Sequence, residues 1–136
     1  MPGKVIDGKA VAELVHQETA KEVAELARTH NLQPGLAVVL VGDDPASSVY
    51  VNMKAKKSLE LGIYSEKIVM DKHSRQDEVL EVIARLNKDP KIHGILVQSP
   101  PPPQIDEAEL VRAIRPEKDV DCFHPVNVGK MLMGET

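Results

Sequence analysis

Aromatic side chains are nearly missing from this sequence: two tyrosines, one phenylalanine and no tryptophan in 136 residues. The core must therefore be built from Val, Ile, Leu, Ala and Met, and Tyr50, Tyr64 and Phe123 merit individual attention. There is a single cysteine, Cys122. It excludes an internal disulfide framework and a zinc site made of several thiolates. No apolar run approaches the roughly 20 residues of a membrane-spanning helix. The opening MPGKVIDGK lacks the apolar core of a secretory signal. The formal net charge is −4, with basic residues spread along the chain. Phosphate neutralisation needs a concentrated basic face, so nucleic acid is not an expected partner, and neither is a membrane. The expectation is a soluble protein of the reducing cytoplasm.

What is present is an ordinary globular balance, 42% hydrophobic and 28% charged. The length suits one domain that buries roughly two-thirds of its unfolded surface. Ala10 to His30 carries Val11, Leu14, Val15, Val23, Leu26 and Ala27 at helical spacing, with Asp7 as N-cap and Pro34-Gly35 beyond the end. LAVVLVGDD, from Leu36, is apolar on both faces, the signature of a buried parallel strand. Asp44-Pro45 reads as N-cap and first helical position of a helix to about Leu61, stopped by Gly62.

IYSEKIVM reads as a second strand, and SRQDEVLEVIARLNKDP as an amphipathic helix capped by Ser74 or Asp77. Ile92 to Gln98 reads as a third strand. DEAELVRAI makes a short helix before the loop RPEKDVDCFHP. Alternating strands and helices require crossovers. The expected fold class is therefore α/β: a three-layer domain with a mostly parallel sheet and helices on both faces.

Ligands of such sheets sit at strand carboxyl ends. That selects GDDPASSVY, QSPPPP and the loop holding DVDC. In VYVNMKAKK, Tyr50 precedes Lys54 by one helical turn, so phenol and amine share a face, whereas Lys56 lies more than half a turn away. A pocket-facing amine can take or give a proton; a solvated one is merely surface. Gln98 ends the apolar strand with an amide that can bond a neighbouring loop or orient an amine.

Asp119 and Asp121 are too few for a metal site. Asp121 can accept two bonds from a guanidine-like heterocycle edge, or bond loop amides. Pro100 to Pro103 read as a rigid wall rather than a docking peptide. The five histidines share no metal or triad spacing and read as surface or capping residues. GDD after a strand also suits a receiver domain phosphorylated on Asp43 or Asp44, although Gln98 stands where such a domain has a further Asp.

Three segments together resemble one family. VGDDPASSVYVNMKAKKSLELGI, GILVQSPPPP and PEKDVDCFHPVNVGKM are similar, in order and separation, to the motifs of the bifunctional methylenetetrahydrofolate dehydrogenase/methenyltetrahydrofolate cyclohydrolases, the FolD family. The resemblance covers essentially the whole chain. It implies that Lys54 is the catalytic amine, that Tyr50 packs on and orients the folate, and that Gln98 positions Lys54. Asp121 would hold the pterin edge, with Ser47 and Pro100 lining the same cleft.

The implied chemistry is oxidation of 5,10-methylenetetrahydrofolate with NADP, then hydrolysis of the methenyl product to 10-formyltetrahydrofolate, in a homodimeric parent. Cys122 stands where the family has glycine, and Ser99 and Pro101 stand where it has leucines. The family's Rossmann-type NADP domain, with its GxGxxG loop, has no counterpart in these residues. The expectation is a folate-binding catalytic domain over 1–136 with an apolar patch where the family's last helix would pack. A non-catalytic folate-binding or interaction module is the alternative.

Overall fold

The computed structural model describes residues 3–135. In chain order its elements are α1 (Gly8–His30), β1 (Gly35–Val41), α2 (Pro45–Glu60), β2 (Tyr64–Met70), α3 (Gln76–Lys88), β3 (Gly94–Val97), α4 (Glu107–Ala113) and α5 (Pro125–Met133), with a 3₁₀ turn at Pro116–Lys118 before α5. The three strands form one parallel sheet in the order β2-β1-β3.

The central strand explains the layers. Successive side chains of a strand point to opposite faces, and both faces of β1 are apolar. Ala37, Val39 and Val41 join Val79, Ile83 and Leu86 of α3 and Leu110 of α4 in the larger core. Val38 and Leu40 turn the other way, onto Val51 of α2 and Leu96 of β3. Ile83, Leu86, Ile95 and Leu110 are each completely or almost completely buried. Such burial stabilises by roughly 1.5–3 kcal/mol per side chain. The edge strand β2 shows a half-exposed alternation instead. Its Lys67 reaches Asn52 of α2 and its Glu66 accepts from Arg85 of α3, each at 3.0 Å.

Caps fall where turn chemistry puts them, with one correction. Asp7 accepts from the Ala10 N–H at 3.0 Å, and Asp44 accepts from the Ser47 N–H at 2.7 Å. Helix α3 is capped by neither Ser74 nor Asp77. Its N-cap is Arg75, whose N–H donates to Glu78 at 2.8 Å, while Asp77 is taken up by the Arg75 guanidinium. The third strand is also shorter than Ile92 to Gln98, although the His93 and Gln98 amides still donate to Gly35 and Val39 at 2.8 Å each.

Helix α1 is covered at Val23 and Leu26, as its hydrophobic spacing indicates, but not along its first two turns. His16, Thr19, Ala20, Val23 and Leu26 are the covered positions. Val11, Leu14 and Val15 are 54%, 61% and 51% exposed. No helix among the described residues is long and apolar enough to cross a membrane.

Candidate active site

The carboxyl ends of β1 and β3 lie side by side, and α2 starts beside them. Val41 leads into Gly42, whose φ of +102° is open to glycine at little cost. Pro102 closes over this turn: a β-carbon at Gly42 would sit 3.6 Å from its ring. Of the wall expected over Pro100 to Pro103, Pro102 packs on the β1–α2 turn, and Pro103 is exposed. Pro100, exposed, follows a cis peptide from Ser99.

Helix α2 then presents Tyr50 and Lys54 one turn apart. Both line a mainly apolar cavity of about 410 Å³, with His16, Leu36, Met53, Lys57, Ser58, Leu61 and Ile63. Lys54 is half-buried and its Nζ donates to Gln98 Oε1 at 3.1 Å. The Gln98 Nε2 donates in turn to the Ser99 carbonyl at 3.0 Å, which fixes the amide with its oxygen towards the amine. The other two lysines of this helix differ. Lys56 is exposed, and Lys57 pairs with Glu60.

Asp121 lies in the loop between the 3₁₀ turn and α5. It lines a separate crevice with Val97, Leu110 and Phe123, and part of its surface stays open to solvent. Burial of its carboxyl pushes it above the usual carboxylate value, against the pull of the Lys54 charge, while Asp119 adds to the rise. The Lys54 charge thus reaches Asp121, although the two side chains line different cavities. Ser47 is only 3% exposed and does not line the Tyr50–Lys54 cavity. Its backbone N–H and then its hydroxyl hold Asp44 below the ordinary value.

The family described as tetrahydrofolate dehydrogenase/cyclohydrolase, catalytic domain, matches residues 6–121. The chain belongs to this family. It is 52% identical over 132 residues to the bifunctional protein FolD of Geotalea daltonii, covering 97% of this chain and 47% of that protein. Among solved structures, it superimposes with a TM-score of 0.95 and 36% identity on a 5,10-methylenetetrahydrofolate dehydrogenase from the silkworm Bombyx mori, over 98% of this chain and 46% of that one. The Trypanosoma brucei dehydrogenase-cyclohydrolase, complexed with NADP cofactor and inhibitor, gives a TM-score of 0.91 at 38% identity, over 96% of this chain and 45% of that one. The chain spans about half the length of the relatives it matches. Membership removes the receiver-like reading of Asp43 and Asp44. Asp43 is exposed, with Lys72 at 3.7 Å.

Sequence reasoning missed two features of this site. The first is α5, which follows the DVDC loop directly and is capped by His124, its Nδ1 accepting from Val126 N–H at 3.2 Å. Pro125 at the first helical position and Gly134 just past the end were the available signals. The second is Asp119, whose carboxylate accepts from backbone and side-chain donors within its own loop.

Cys122 takes up φ +57°, a conformation that favours glycine. A side chain in the left-handed region costs about 1–2 kcal/mol, and glycine's greater freedom when unfolded returns about 0.5–1 of that. Cys122→Gly is expected to stabilise the chain by about 0.5–1 kcal/mol in urea titration. A lower midpoint than the unaltered chain would show that the thiol's contacts outweigh the strain.

Proposed function

We propose that this chain carries the folate-binding and catalytic part of a methylenetetrahydrofolate dehydrogenase and methenyltetrahydrofolate cyclohydrolase of one-carbon metabolism. The observation that carries the reading is the Lys54–Gln98 hydrogen bond at the end of β3, with Tyr50 one helical turn from Lys54 on the cavity that both line. In the hydrolytic step, water adds to the cationic methenyl carbon and gives up one proton as the C–O bond forms. The adduct's hydroxyl then loses its proton to become the carbonyl while the ring C–N bond breaks and the departing nitrogen takes a proton, giving the 10-formyl product. The substrate's cation disfavours an ammonium beside it, so the amine is left free to take the proton that water loses. Gln98 aims that amine, Tyr50 packs on the folate, and Asp121 accepts from the pterin edge with both oxygens. Pro100 is assigned to the surrounding wall, whereas Ser47, buried and engaged with Asp44, is left out of the cleft that the resemblance implied for it.

NADP is the assigned redox partner, but these residues do not fit it. The glycine turn between β1 and α2 opens onto Asp43 and Asp44, whose charges would repel a pyrophosphate, and no GxGxxG is present. We assign the cofactor to the further length that the relatives carry. The same length is the proposed cover for the open apolar face of α1 and the basis of a homodimeric, cytoplasmic enzyme. The test is the loss of 5,10-methenyltetrahydrofolate absorbance on adding the purified chain, alongside folate binding by calorimetry. Hydrolysis above the no-protein rate supports the reading. Binding without turnover would leave a non-catalytic folate-binding module.

Asp121→Asn separates binding from stability. Because burial raises the folded carboxyl above its unfolded value, the fold gains from protonation and loses that gain as pH rises through the folded value. At pH 7 the amide is therefore expected to leave the free chain at least as stable, while folate binding weakens about tenfold or more. A destabilised variant with unchanged affinity would contradict the assignment.

A further inference from the structure

The loop that presents Asp121 is closed by a second carboxylate. Asp119 Oδ1 accepts from the Phe123 N–H at 3.3 Å, and Oδ2 accepts from the His124 N–H and from Asn127 Nδ2, each at 2.9 Å. Asn127 Nδ2 also donates to the Pro116 carbonyl at 2.7 Å, so the same amide ties the start of the loop to α5. Burial works to raise the Asp119 carboxyl, but these donors outweigh it and hold the group below the ordinary value.

Two further contacts fix where this closed turn sits. Just before it, Lys118 Nζ donates to the Leu86 and Asp89 carbonyls at 3.0 Å each, a cation on the carboxyl end of α3. The Asp119 backbone bridges Ile95 in parallel, extending the sheet by one residue pair beside β3. Val120, Asp121 and Cys122 then remain at the tip; Cys122 is partly covered, Val120 and Asp121 are exposed, and Asp121 carries the only charge of the three.

We propose that Asp119 is a positioning residue for folate binding: its carboxylate closes the 119–124 turn and thereby sets where Asp121 points. The inference rests on the folate reading above and adds a residue to it. An amide cannot substitute. Three donors converge on two oxygens, and Asn would keep one oxygen while turning an NH₂ group towards the Phe123 N–H.

The experiment is calorimetric binding of 5-formyltetrahydrofolate to the unaltered chain, Asp119→Asn, Asp121→Asn and the double variant, with amide exchange at Phe123 and His124 measured without ligand. Asp119→Asn is expected to bind roughly tenfold more weakly, to exchange at those two amides faster while β1 is unchanged, and to add less than about twofold once Asp121 is already Asn. A merely structural role would weaken binding equally in both backgrounds. Should Asp119→Asn not fold, Asn127→Ala removes a single donor and is expected to show a smaller loss with the same non-additivity. Unchanged affinity, unchanged exchange or full additivity overturns the inference. Absence of binding by the unaltered chain overturns the folate reading itself.

Discussion

Lys54→Met is expected to lower the hydrolysis of 5,10-methenyltetrahydrofolate by about 10²–10⁴-fold while changing folate affinity only a few-fold. The range is that of a lost general acid–base group. Methionine keeps the unbranched stem that lines the cavity and removes only the amine. The reason to single out this lysine is geometric. Its Nζ is the α2 amine that meets Gln98, and Gln98 is itself fixed by the Ser99 carbonyl. Lys56→Met is the control: that side chain is exposed and lines no cavity with Tyr50. Equal rates for Lys54→Met and Lys56→Met would remove Lys54 from the mechanism. A drop in affinity as large as the drop in rate would recast it as a binding residue.

The order of strands and helices was readable because each signal is local. The run LAVVLV, apolar on both faces, could only be a covered strand, and it is the central one. Asp44-Pro45 and Asp7 announce helix starts by the same side-chain bonds that the structure contains. The misses came where several residues compete for one role. Ser74, Arg75 and Asp77 are all near the start of α3, and the ladder of Glu78 onto Arg75 N–H decides it. Helix α5 hides behind a histidine cap and a mid-helix Gly129, two residues that lower a helical reading. The apolar face of α1 holds at Val23 and Leu26 but not at Val11, Leu14 and Val15, because spacing says which side wants cover, not how far along the helix cover extends.

The site was legible in pieces. The step of four from Tyr50 to Lys54 puts them on one helical face, which sequence spacing alone gives. That Gln98 meets Lys54 depends on the register of β3 against β1, Val97 beside Val39, across 44 residues of chain. No local pattern encodes that register; the family motifs supplied it. The two aspartates of KDVDC looked alike in sequence, one turn of loop apart. Their surroundings part them. Hydrogen-bond donors hold Asp119 charged within the loop, whereas Asp121, short of such donors, is pushed towards its neutral form and left facing outward.

Gly35→Ala is expected to cost about 3 kcal/mol or more and to lower the melting temperature by roughly 10 °C. Gly35 opens β1, and a β-carbon there would lie 1.9 Å from the Lys91 carbonyl oxygen. A backbone oxygen cannot swing aside as a side-chain end can. It is also held in place, because Lys91 N–H donates to Asp89 Oδ1 at 2.8 Å and Ile92 N–H to the Asp89 carbonyl at 3.2 Å. Relief therefore requires β1 and the approach to β3 to separate. That separation strains two bonds: His93 N–H to the Gly35 carbonyl at 2.8 Å, and Gly35 N–H to His93 Nδ1 at 3.0 Å. Gly94→Ala is the instructive contrast. Its β-carbon would come 2.5 Å from Val120 Cγ1, a side-chain methyl that can rotate away. It should cost less stability yet disturb the 119–124 turn and so folate affinity. If Gly35→Ala melts within two degrees of the unaltered chain, the close approach of β1 to Lys91 is not a constraint on the fold, and the junction between these strands is looser than its hydrogen bonds imply.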